Sequence, residues 1–254
     1  MLRLFVFIIC ILASSASWAQ DGRIGVQTEA EEKAANQSQT PTLMLRKNQP
    51  THPERILMAF YKVAGLQPDF LKWAEKSPFL KDAKAIDTNT ITSRENNRMS
   101  QAFTELDATE PLVVEIKIRL DNYSTLQEVL KLSEFTPKTF FSYSLYDESV
   151  AIVPKDIANF GTIKISKVEM DEILEKSRGA EVTAELLLKP VVGDAKTPFV
   201  QGKQSYWLLL AEIGEIRFWS SGAEPKLLWM HRADWFKPKE DKTLMNLKSG
   251  MGGM

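Results

Sequence analysis

The chain has 254 residues, with 32 basic and 33 acidic side chains, 2 histidines and 1 cysteine. That balance leaves no cationic excess for gripping a nucleic-acid backbone or an anionic membrane surface. With Cys10 as its only thiol, the chain has no disulfide framework, thiol catalysis or zinc–thiolate centre beyond residue 10.

Residues 1–19 have the three-part layout of an export signal. Arg3 is followed by an apolar run over 4–13 and then by the small residues before Gln20, which predicts cleavage near Ala19/Gln20. The apolar run is roughly half of the about 20 residues that a bilayer-spanning helix needs. Cys10 lies inside the run rather than after it, which argues against a lipid-modified signal. The expectation is a bacterial protein, periplasmic or secreted, that is not membrane-spanning once the signal is removed.

Residues 20–50 are rich in Gln, Glu, Ala, Asn, Ser and Thr. Such a composition buries too little surface to offset its ordering entropy, so a flexible leader is expected. A helical part over 51–108 follows. Thr51 and Glu54 are spaced as a capping box with Pro53 in the first turn, and Ile56, Leu57, Phe60, Tyr61 and Ala64 form one apolar stripe that ends at Gly65. Further helices are predicted over 68–76, stopped by Pro78, and over 88–106.

The period changes at Leu112. Leu112, Val114, Ile116, Ile118 and Leu120 alternate with Val113, Glu115, Lys117, Arg119 and Asp121, the pattern of a strand with one wet face. A hairpin is predicted over 140–153. Ser166 and Glu169 open a further helix that ends at Gly179. Strands are then expected over 182–189, 206–213, 215–220 and 226–230, with Gly214 as a turn between the middle two. The order predicts an α+β fold, with N-terminal helices followed by a largely antiparallel β-sheet carrying one inserted helix. The β-rich part spans 109–237, and a disordered tail rich in Met and Gly spans 238–254.

No residue pattern selects a catalytic centre. The nucleophile elbow, the zinc-protease helix, the phosphate-cradling glycine loop and the calcium loop are all missing from the sequence. No metal site or cofactor is expected. His52 falls in the predicted cap of the first helix. His231 follows the last predicted strand. The one oddity is the crowding of Trp207, Trp219, Trp229 and Trp235, with Phe236 beside the last. Tryptophan supplies broad contact area and one hydrogen-bond donor at low entropic cost, so it serves as a partner anchor or a sugar platform. Trp207 and Trp219 sit in apolar strands and are expected in the core. Trp235, Phe236 and His231 are the candidate partner-binding residues. The sequence therefore predicts an exported, non-catalytic protein that binds a protein or cell-envelope partner. The alternative is a carboxylate-dependent hydrolase of glycan or peptidoglycan.

Overall fold

A computed structural model of the chain describes residues 47–80, 87–177 and 181–237. The expected export signal over 1–19, residues 20–46 of the expected leader, Gly179 at the expected end of the inserted helix and the expected tail over 238–254 lie outside the described residues. In chain order the elements are α1 (Pro53–Val63), α2 (Phe70–Glu75), α3 (Thr88–Glu105), β1 (Leu112–Arg119), β2 (Tyr123–Ser124), β3 (Val129–Lys131), β4 (Phe141–Leu145), β5 (Glu148–Pro154), β6 (Thr162–Lys164), α4 (Lys167–Ser177), β7 (Glu181–Gln201), β8 (Gln204–Trp219) and β9 (Leu227–Arg232). The layout is α+β, with helices first and then a mostly antiparallel mixed sheet.

The first helix starts differently from the capping box read in the sequence. Its N-cap is His52, whose Nδ1 accepts from the Glu54 amide at 3.3 Å. Thr51 is drawn off to the edge of β1: its hydroxyl accepts from Val113 N at 2.7 Å, and its own amide donates to Val113 O at 2.9 Å. Glu54 is drawn off too, accepting from Arg98 Nη1 and Nη2 at 2.8 and 2.7 Å and from the Tyr146 hydroxyl. Tertiary partners thus outcompete a local cap worth about 1 kcal/mol. At α4 no such partner intervenes, and Ser166 and Glu169 form the reciprocal box.

The helices pack on the β4–β5 hairpin through aromatic rings. Trp73 is fully buried, stacks on Tyr146 at 5.3 Å and donates Nε1 to Glu148 at 2.9 Å; Tyr61 donates to the same carboxylate at 2.7 Å. Burial first, and then the Glu148 carboxylate, push the Tyr61 phenol well above its ordinary range. The two-residue turn of this hairpin places Tyr146 and Asp147 at φ 55° and 62°. Side-chain-bearing residues held there cost on the order of 1 kcal/mol each. The Trp73 stack and the Glu54 bond on Tyr146, with the Lys76–Asp147 ion pair at 2.9 Å, hold the turn in place.

The main sheet runs β1-β7-β8-β5-β4, with β9 also paired to β8. Most neighbours are antiparallel, but β5 pairs with β8 in parallel, Val150 opposite Trp207 through Pro154 opposite Ala211. Short strands β2, β3 and β6, which carry too few residues to show a period, form a second, three-stranded sheet. One face of the main sheet supplies Leu112, Val114, Ile118, Val182, Ala184, Leu186, Leu188, Ile216 and Phe218 to the hydrophobic core.

Gly214 is not a turn. Strand β8 passes straight through it, and the pairing steps from Leu187 opposite Glu215 to Leu188 opposite Ile213. Gly214 is therefore the extra residue of a β-bulge. Likewise β7 does not stop at Lys189. It continues through Pro190 to Gln201 and returns at Gly202, where φ is 63°.

Candidate functional site

Strand β8 changes partner along one of its edges. The parallel neighbour β5 ends at Pro154, opposite Ala211, while the antiparallel neighbour β9 ends at Arg232, opposite Glu215. Between them, over 212–214, this edge of β8 has no ladder partner among the described residues. The chain leaving β5 bends away at Asp156, a non-glycine residue at φ 60°, into a short 3-10 turn over Ile157–Phe160. The chain leaving β9 folds back, and Ala233 N donates to Gly214 O at 2.9 Å. Neighbours that diverge from one strand leave a crevice, and clefts with convergent polar groups commonly form at such points.

The crevice is a cleft of 190 Å³ lined by Lys155, Asp156, Phe160, Glu212, Ile213, His231, Ala233 and Trp235. Lys155 Nζ lies 3.6 Å from Glu212 Oε1. On the other side of Trp235 a second cleft of 260 Å³ is lined by Asp107, Thr109, Glu110, Pro111, Lys189, Trp235, Phe236 and Lys237. Trp235 is the wall that the two share. It is 45% exposed, and Lys189 Nζ sits 5.5 Å from its ring centroid, an attraction of roughly 0.5–1 kcal/mol at an exposed site.

The three residues singled out in the sequence thus converge at one place but do different things. Trp235 presents its ring to solvent. Phe236 points inward, only 7% exposed, against Gly214. His231 is half-buried on β9, its ring 4.8 Å from Phe160 and 6.4 Å from Trp229. Of the tryptophans expected inside, Trp219 is buried and Trp207 is half-buried, stacked on Phe60 at 6.3 Å.

Strands β7 and β8 also carry a set of buried charges. Glu185 and Glu215 are fully buried, with Arg217 between them. Arg217 donates Nη1 to Glu185 at 3.0 Å and Nη2 to Glu215 at 2.8 Å, and Glu215 also accepts from Arg232 Nη2 at 3.1 Å. Asn48, from the last residues of the expected leader, donates its amide and Nδ2 to Glu185 at 2.8 and 3.0 Å. Burial, only partly offset by Asn48 and Arg217, pushes the Glu185 carboxyl above its ordinary range. The Arg232–Glu215 bond holds the end of β9, and so fixes where His231 and Ala233 stand. Alternation alone cannot separate a solvated charge from a buried, paired one, so no local pattern signals this role.

Among the described residues, no group of three or more His, Cys, Asp or Glu side chains is placed to hold a metal ion. Among the same residues, no helix is long and apolar enough to cross a membrane. No family model matches the chain, nor does any curated protein or solved structure.

Proposed function

We propose that this is an exported, non-catalytic protein that binds a protein or cell-envelope partner, with Trp235 as the anchor. The observation that carries the reading is Trp235 itself, an exposed indole standing between two clefts at the partner change of β8. Interface hot spots are enriched in Trp and gain their energy by seating an aromatic against shaped surface. Clefts of 190 and 260 Å³ fall below the roughly 300 Å³ at which small-molecule sites begin. They suit side chains of an extended partner lying across Trp235 better than one engulfed ligand. Export rests on residues 1–19 of the sequence.

The free outer stretch of β7 is the weaker surface. Pro190 and Pro198 offer no amide there, and Lys196 N is already spent on Asp194 Oδ1 at 2.9 Å. Those devices blunt a strand edge against pairing.

A second reading, carboxylate-dependent hydrolysis of glycan or peptidoglycan, draws on Asp156 and Glu212, which line one cleft with Trp235. That chemistry requires two carboxyl groups flanking the scissile bond. One experiment separates the readings: crosslinked capture from the native envelope fraction with the intact chain, Trp235→Ala, Asp156→Asn and, as a distant exposed control, Phe79→Ala. The binding reading expects one captured species, lost with Trp235→Ala and kept with the other two. Turnover of envelope glycan that disappears with Asp156→Asn would replace it with the hydrolase.

A further inference from the structure

Among the described residues, the segment over 233–237 is attached to the sheet in few places. Ala233 N donates to Gly214 O on β8, while Phe236 N donates to Ala233 O within the segment itself, both at 2.9 Å. Trp235 meets Lys189. The remaining attachment is the Phe236 ring, seated on the backbone of the β8 bulge. A Cβ at position 214 would lie 2.8 Å from Phe236 Cγ and Cε2, closer than real Cβ contacts come. Gly214 does not have a positive φ, so glycine is required here for room and not for conformation. The bulge that interrupts the β7–β8 ladder is thus also the socket for one aromatic ring.

Both clefts depend on that seat. Ala233 and Trp235 line the first, and Trp235, Phe236 and Lys237 line the second. We propose that residues 233–237 form a latch, closed when Phe236 sits on Gly214, and that opening it dissolves both clefts together. Among the described residues the segment is tied to the sheet by one backbone bond, one seated ring and one exposed ring–ammonium contact, so it opens at a small fraction of the cost of unfolding the sheet. The latch rests on the partner-binding reading for its purpose. A partner that binds only the closed form draws the population toward it, so capture and closure are coupled. Trp235 makes the contact, and Phe236 and Gly214 are its positioning residues.

Amide hydrogen exchange followed by NMR on the full mature chain tests this without any partner. In the unaltered protein the Ala233 and Phe236 amides are expected to exchange faster than the β8–β9 ladder amides and slower than free peptide. Phe236→Ala should raise exchange at positions 233 and 236 by about tenfold or more and leave the ladder unchanged. Gly214→Ala, which keeps the ring but fills its seat, should do the same. No change at those two amides, or an equal rise throughout β8 and β9, overturns the latch. Capture then decides the coupling: undiminished capture by an open-latch variant, where Trp235→Ala abolishes it, overturns that part. Open-latch exchange combined with capture that Trp235→Ala does not affect leaves the latch standing and defeats the partner-binding reading instead.

Discussion

Arg217→Met should be among the most damaging single changes in this protein. Arg217 is nearly fully buried and lies between two carboxylates that are themselves fully buried, Glu185 and Glu215. Methionine keeps much of the volume but leaves two negative charges without their shared cation. Removing one partner of a buried pair costs about 3–5 kcal/mol. For a chain of this size, each kcal/mol moves the melting midpoint by roughly 2–4 °C, so a fall of about 6–20 °C is expected by circular dichroism.

The pH dependence supplies a sharper test of the same idea. The Glu185 carboxyl is raised by burial above its ordinary 4.5. A raised native value means that the native state gains as pH falls through it and loses as pH rises. Losing Arg217 removes one of the groups that favour the charged form, so the Arg217→Met deficit should narrow on going from neutral pH toward 4.5. Replacing all three charges together, as Glu185→Leu, Glu215→Leu and Arg217→Met, should recover much of the loss, because apolar groups of similar volume do not pay the desolvation of ions. A midpoint within about 2 °C of the parent, or a deficit that does not change with pH, would refute the claim that these charges are buried and mutually dependent.

Glu54 behaves in the opposite sense. Burial pushes its carboxyl up, but the Arg98 and Tyr146 bonds outweigh that and hold it below 4.5. Its contribution is therefore present above 4.5 and lost as pH falls through the lower native value, and Glu54→Gln should flatten the acid limb of a stability-versus-pH curve. Trp73→Phe removes the donor to Glu148 and part of a fully buried ring, so it should cost about 2–4 kcal/mol in urea unfolding with little change in slope. Trp235→Ala should lower stability by no more than about 1 kcal/mol, since the ring is partly exposed and its Lys189 contact is weak, while abolishing capture.

The α+β order was legible because both periods are written plainly into the chain. The 3.6-residue stripe from Ile56 to Ala64 and the two-residue alternation from Leu112 to Leu120 depend only on which face each side chain takes. The bounds of α1, α3, α4 and the β4–β5 hairpin followed within a residue or two. Thr51 and Glu54 show where local reasoning stops. Their spacing suits a capping box, but Val113, Arg98 and Tyr146, all more than forty residues away, claim their polar atoms.

Trp235, Phe236 and His231 could be singled out by composition and position, yet their separate roles could not. Which of two adjacent aromatics faces water depends on a socket at Gly214, and that socket exists because β8 bulges where β7 does not. Asp156, Glu212 and Lys155 carried no signal, since only the parallel pairing of β5 beside β8 brings them to the same cleft. The sequence by itself determined the helices, strand β1, the β4–β5 hairpin and the small set of side chains from which an anchor could be drawn, because those follow from patterns a few residues long. The tertiary structure alone decided that Glu185, Arg217 and Glu215 are buried, that Gly214 seats a ring and that two clefts meet at Trp235. Each of these depends on strand neighbours distant in sequence, whose choice no local pattern encodes.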